Sequence, residues 1–242
     1  MSYTDRKELK FLVDYKTFAG ILRFIEPFTI PDRHAGKSGT YLVNSLYFDT
    51  FNNKAYWDKI DGEKIRKKIR IRSYLDSQTG KALSTILEVK KKNDRTVYKE
   101  KIRLPFEEAF ALVQSGNPDA LPKKNFSETG RRAVDDVLLL KYKYDLLPKI
   151  VVCYERKPLV DKYNPKTRIT FDFNVRYRTV DFNTENPEME CFAVPRNRVI
   201  VEVKHSGPMP VWISKMVGIF GLQPTTVSKY CEAAGKAFGF DK

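Results

Sequence analysis

The chain has 242 residues, 42% hydrophobic and 13% aromatic, which is enough apolar material for a packed core and argues against global disorder. Its 44 lysines and arginines against 30 acids give a formal charge of +14, an excess that calls for a polyanionic partner: nucleic acid, an acidic membrane surface or a phosphorylated small molecule. No apolar run approaches a membrane span, the N-terminus lacks a signal-peptide core, and Cys153, Cys191 and Cys231 form no CxxC pair, so a cytoplasmic protein without membrane span, zinc knuckle or disulfide framework is expected.

Arg6–Val13 sets Arg6, Glu8 and Lys10 against Lys7, Leu9, Phe11 and Val13, the alternation of a strand. Residues 14–28 carry helical spacing through Phe18, Ile21, Leu22 and Ile25, ending before Pro27. A loop over 29–40 contains Gly36-Lys37-Ser38, but the glycine a P-loop needs five residues before Gly36 is Pro31, so a polar turn is expected. Tyr41–Asp49 reads as a strand, 52–60 as a short helix and Asp61-Gly62 as a turn. In residues 63–74, Lys64, Arg66, Lys68, Arg70 and Arg72 share one strand face, with Ile65, Ile69 and Ile71 on the other. Strands follow at 84–92, with Glu88 and Lys90, and at 95–105, with Val97, Lys99, Lys101 and Arg103 on one face. Residues 105–116 and 127–145 read as helices, the second weakened at its start by Gly130. Residues 148–160 form a strand that puts Tyr154 and Arg156 on one face, 166–181 hold one or two strands, and 182–197 form a linker or hairpin loop. A strand over 198–207 carries Ile200, Glu202 and Lys204 on one face, and helices over Val211–Phe220 and Thr225–Phe238 close the chain. With no compositional boundary and no internal repeat, about eight strands and few intervening helices predict one α+β domain over 1–242 on a mostly antiparallel sheet. Eight is also about the number of strands that closes into a barrel.

Charge at i, i+2 recurs on most of these strands. On one strand it describes an ordinary solvated face. Repeated on six or seven, and mostly basic, it suggests faces converging on an interior that water and anions must satisfy. Phosphate chains suit such an interior: arginine and lysine grip phosphate oxygens, and the few carboxylates can hold a bridging divalent metal. Nucleic acid is the rival, with Tyr74, Tyr98 and Tyr154 as candidate stacking residues, but the basic residues lie in strand alternation, not on helices or in RGG-like tracts. His34 and His205 form no readable catalytic arrangement.

Taken in order, RKELKF, SLYFDT, IRIRSY, LEVKKK, VYKEKIRL, CYERKPL, TRITFD, VIVEVKH and VSKY resemble the VTC (vacuolar transporter chaperone) polyphosphate polymerase domain, a branch of the triphosphate tunnel metalloenzymes, from Arg6 to about Lys229. The resemblance implies an eight-stranded antiparallel β-barrel tunnel with flanking helices. It also implies transfer of the terminal phosphate of ATP onto a polyphosphate chain, with Mn2+ or Mg2+. Carried onto this chain, it assigns catalytic roles to Arg70, Arg72, Lys99, Arg156 and Arg168, and phosphate binding to Arg6, Lys10, Lys90, Tyr154, Lys204, Ser228 and Lys229. It assigns metal binding to Glu202, Glu88 and Glu8. Two departures stand out: Thr226 replaces a lysine frequent in the polymerases, and Arg6-x-Glu8-x-Lys10 replaces the ExExK of triphosphate-hydrolysing relatives. A metal-dependent inorganic triphosphatase and a non-catalytic polyphosphate or nucleotide binder remain as alternatives.

Overall fold

The computed structural model describes residues 6–36, 38–94, 96–121 and 126–240, the side chains of Arg6 and Ala120 excepted. Lys37 and the side chain of Arg6, both singled out in the sequence, therefore lie outside the described residues.

The strands are β1 (Arg6–Asp14), β2 (Thr29–Pro31), β3 (Tyr41–Asp49), β4 (Ile65–Asp76), β5 (Ala82–Asn93), β6 (Thr96–Arg103), β7 (Leu147–Asp161), β8 (Arg168–Arg178), β9 (Cys191–Phe192) and β10 (Arg198–Ser206). The helices are α1 (Tyr15–Ile25), α2 (Lys54–Ile60), α3 (Phe106–Ser115), α4 (Glu128–Tyr144), α5 (Val211–Ile219) and α6 (Lys229–Phe238). Local chemistry marks their ends. Asp14 caps α1 by accepting from Thr17 N at 2.7 Å, and Pro27 turns the chain into a short 3-10 segment. Ser127 accepts from Gly130 N at 3.2 Å, which offsets the weak start that Gly130 gives α4.

One antiparallel sheet follows the order β1-β10-β8-β7-β3-β4-β5-β6, with β2 beside β7 and β9 beside β8. Its eight-strand path is the expected tunnel architecture, curled into a half-barrel. Among the described residues β1 and β6, at the ends of the path, are not hydrogen-bonded to each other. Three segments differ from the sequence reading. The loop expected over 29–40 begins with β2, the linker at 182–197 contains β9, and the last helix starts at Lys229 instead of Thr225. Pro224 restrains the residue before it, Thr225 N donates to Lys10 O at 2.8 Å, and Ser228 caps Cys231 N, so residues 222–228 run as irregular chain.

The alternation of the strands decides the layering. On the outer side, Ile69, Ile71, Leu87, Val89 and Ile102 of β4–β6 pack beneath Ala109, Leu112, Val134 and Val137 of α3 and α4. Phe11, Phe171, Val201 and Val203 of β1, β8 and β10 pack beneath Ile21, Ile25, Ile213 and Met216 of α1 and α5. Each such large apolar side chain contributes about 1.5–3 kcal/mol. A third cluster lies within the curl, where Val43, Tyr47, Ile150, Val152 and Tyr154 meet Tyr230, Ala233 and Ala234 of α6.

Asp49 ties α6 to the sheet. Its buried carboxylate accepts from Thr50 N, Ala55 N and Tyr56 N at 2.7, 2.8 and 3.1 Å, and from the Tyr230 hydroxyl at 2.5 Å. Asp49→Ala leaves these donors without an acceptor, so unfolding free energy should fall by about 3 kcal/mol or more in urea titration. A loss below about 0.5 kcal/mol would refute this anchoring role.

Candidate functional site

The inner face of the curl encloses a cavity of about 420 Å³. Its wall carries twelve lysines and arginines against two glutamates, Glu8 and Glu202. It brings together Glu8, Lys10, Arg70, Arg72, Lys90, Lys99, Tyr154, Arg156, Glu202, Lys204, Ser228 and Lys229 from the sequence-derived set. Apart from Arg6, whose side chain lies outside the described residues, two members of that set do not line it. Arg168 lies on β8 with its guanidinium held by the Tyr41 hydroxyl at 3.1 Å and Asp32 at 3.4 Å. Glu88 shares the inner face but is buried among the lining side chains, bound to Arg70 at 2.6 Å. The wall adds Tyr47, Lys59, Arg66, Lys68, Lys92, Thr225, Thr226, Val227 and Tyr230, which were not assigned from sequence. Arg66 and Lys68 share the alternating face of Arg70 and Arg72, so that signal could have found them.

Half of the cavity is electrostatically compensated. Arg156 donates a bidentate fork to Asp172 at 2.6 and 2.7 Å, and Lys229 reaches the same carboxylate at 2.6 Å. Glu202 receives Lys229 at 2.9 Å, Lys204 at 2.8 Å, Lys10 at 3.5 Å and Arg156 at 3.5 Å. Burial alone would push the Glu202 pKa up, but Lys229, Lys204 and Arg156 hold it well below the carboxylate range. Burial likewise opposes the charge on Lys229, and Asp172 and Glu202 outweigh it, raising its pKa. Tyr154 is 2% exposed, with Lys229 Nζ 4.7 Å and the Arg156 guanidinium 5.2 Å from its ring centre. Its ring is a platform for two cations. Asp172, which belongs with Arg168 to the charged pattern of its strand, carries no site assignment from sequence, because only the β7–β8 register places it opposite Arg156.

The other half, on β4–β6, is compensated at one point, by Glu88. Arg70 has Glu88, but its buried Nε has no protein partner. Arg72 donates to a neutral acceptor, Ser45 Oγ, at 3.1 Å. Lys90 stands opposite Lys68 and Lys99 in the ladder, and none of these three forms a described ion pair. Burial, with Arg70 nearby, pulls the Lys90 pKa down to about 8. A row of ammonium and guanidinium groups in this state is built to receive an anion.

Among the described residues no three histidines, cysteines or acids cluster closely enough to hold an ion by themselves. Glu8 and Glu202 lie on paired strands, and Lys10 Nζ sits between them, 3.4 Å from one and 3.5 Å from the other. A position where two carboxylates already stabilise positive charge fits Mg2+ or Mn2+ arriving with phosphate oxygens and water. Glu88, buried, has its carboxylate paired with Arg70 at 2.6 Å and stands apart from this position.

A sequence profile of the VTC domain matches residues 5–238. No curated protein sequence matches the chain. A proposed adenylate cyclase from Bacillus halodurans has a similar structure, with a TM-score of 0.52 at 13% identity, over 93% of this chain and 95% of that one. So has HpAC1 from Hippeastrum, described as a proposed adenylyl cyclase with a dominant triphosphatase activity, at TM-score 0.52 and 16% identity, over 96% of this chain and 95% of that one. At these identities the likeness is one of fold.

Glu88 gives a pH test of the wall. Burial would raise its pKa, but Arg70 and Arg72 prevail and hold it at about 2, against an ordinary glutamate value of 4.5. A carboxylate with a depressed pKa stabilises the folded state fully above its ordinary value and loses that contribution as pH falls through the lower one. The contribution is of order 3 kcal/mol. In urea unfolding at successive pH values, Glu88→Gln should therefore lower stability at neutral pH and flatten the acid limb between about pH 5 and 2. Parallel curves for the two proteins would refute the coupling.

Proposed function

The chain belongs to the VTC domain family of the triphosphate tunnel superfamily, and from that premise we propose that it transfers the terminal phosphate of ATP onto an inorganic polyphosphate chain. The observation that carries this reading is the contrast between the two halves of the cavity. The uncompensated cations of β4–β6 face a network on β1, β7, β8, β10 and α6 that is neutralised by Glu8, Glu202 and Asp172. A linear polyanion along the first half would meet fixed donors among which the one described carboxylate, Glu88, is already held by Arg70. Phosphoryl transfer needs in-line positioning and neutralisation of charge on the equatorial oxygens more than a nucleophile from the protein. Arg70, Arg72, Lys90 and Lys99 would hold phosphates, while Arg156 and Lys229, fixed by Asp172, would keep the reacting groups in line. Glu202 and Glu8 would hold Mg2+ or Mn2+, which when bound draws charge from the phosphate oxygens. Nucleic acid suits the site poorly, because Tyr154 lies beneath two cations and its ring faces are not open for stacking a base.

Triphosphate hydrolysis is the second reading, favoured by the triphosphatase activity described for the Hippeastrum protein. Retention of polyphosphate without turnover would make the chain a binding module.

Incubation with ATP and Mn2+ or Mg2+ should release ADP and produce a polyphosphate ladder on a gel. Orthophosphate release from tripolyphosphate without chain growth would assign the hydrolase instead. Arg72→Ala should lower kcat/KM about a hundredfold, in keeping with the roughly 2–4 kcal/mol of a preorganised charge contact. Arg72→Lys should restore little, since the ammonium lacks the guanidinium fork. Lys64→Ala should change the rate by less than about threefold, because Lys64 is exposed and precedes β4. Equal losses at Arg72 and Lys64 would replace discrete phosphate sites with a diffuse field. Glu202→Gln should abolish metal-dependent turnover and leave measurable polyphosphate binding, and normal rates at limiting Mn2+ would remove Glu202 from the metal site.

A further inference from the structure

Tyr47 stands on the inner face of β3, 7% exposed, and lines the cavity. Its oxygen accepts from Arg70 Nη1 at 3.4 Å, and its ring meets that of Tyr230 with centres 5.0 Å apart. No hydrogen bond donated by its own hydroxyl to a protein acceptor occurs among the described residues. The groups facing it are cationic on nearly every side. β4 presents Lys68, Arg70 and Arg72, β5 presents Lys90, with Glu88 reached through Arg70, and α6 presents Lys229 beside Tyr230. β7 presents Tyr154, itself covered by Arg156 and Lys229.

We propose that Tyr47 is a proton-coupled phosphate contact: as the phenolate, at alkaline pH, it partly compensates Arg70 and Arg72 in the empty cavity, and as the phenol it donates its O–H to a phosphate oxygen of the bound polyanion. The inference rests on the reading of this cavity as a phosphate site. Burial alone would push the Tyr47 pKa up; Arg70 and Arg72 outweigh burial and bring it down to about 8. A phosphate chain brings negative charge to the same cations. It weakens their hold on the phenolate and repels it directly, so the pKa rises on binding. The phenolate oxygen takes one proton from bulk solvent, and the new O–H bond then points its hydrogen at a phosphate oxygen. No other bond forms or breaks. The sign follows: polyanion binding above pH 8 consumes a proton, and affinity falls as pH rises through that range.

Tyrosinate has its own ultraviolet absorbance, which lysine titration does not produce. Tripolyphosphate added at about pH 9 should lower the tyrosinate absorbance of the wild-type protein, with binding followed separately by calorimetry. Tyr47→Phe keeps the ring against Tyr230 and removes the hydroxyl. It should eliminate the absorbance change and weaken tripolyphosphate binding roughly tenfold at neutral pH. Tyr74→Phe should keep the change, since Tyr74 does not line the cavity although Arg72 also lowers its pKa against the pull of burial. Binding without an absorbance change in the wild type, or a change that survives in Tyr47→Phe, would overturn the proposal and leave the phosphate site standing. Absence of any tripolyphosphate binding would overturn both. The wild-type measurement needs no variant, so poor folding of Tyr47→Phe does not shelter the idea.

Discussion

Repulsion among the cations on the inner face of β4, β5 and β6 is the constraint around which the rest of the molecule is arranged. Lys68 stands opposite Lys90 and Lys90 opposite Lys99, so the ladder itself places like charges side by side. Such a face can be tolerated where water and anions reach it and where the opposite face gains enough from burial. The fold meets both conditions. The basic face looks into a cavity, and the isoleucines, leucines and valines behind it lie beneath α3 and α4. Most antiparallel sheets put their apolar side inward and their polar side toward solvent. Here the helices cover the convex apolar side, and the concave side is left for chemistry.

Compensation is placed selectively. Asp172, Glu202 and Glu8 neutralise Arg156, Lys229, Lys204 and Lys10 on one side, while Glu88 is the one acid paired with the β4–β6 row among the described residues. Removing one partner from such a buried pair costs about 3–5 kcal/mol, so the paired groups are fixed in place. α6 is fixed in the same manner. Asp49 accepts from the hydroxyl of Tyr230, and the preceding residue, Lys229, is thereby set between Asp172 and Glu202.

Much of this was legible because period-two alternation is a local property. Arg70 and Arg72 share a face in any strand, whatever its neighbours. Membership of the cavity is not local. Arg168 alternates with Asp172 along β8, yet their positions along the strand separate them: Asp172 meets Arg156, and Arg168 is drawn toward Tyr41 and Asp32. Glu88 shares the alternation of Lys90 but is buried against Arg70. The start of α6 was placed four residues early because Thr225–Ser228 carry no decisive helix stop, whereas the bond from Thr225 to Lys10 is made by a segment distant in sequence. Tyr47 gave no charge signal at all; its significance comes from the arginines that β4 lays beside it.

Among the described residues β6 pairs with β5 alone, and Lys99, Lys101 and Arg103 stand exposed along it. An unpaired strand edge is a template for the edge of another copy, and a file of lysines and arginines opposes that addition by repulsion between the approaching chains. A long polyphosphate neutralises such repulsion while spanning several molecules. Colloidal stability is therefore tied to a row of charges that shares Lys99 with the cavity: at low ionic strength the protein should stay dispersed by itself, and polyanion near charge equivalence should draw copies together.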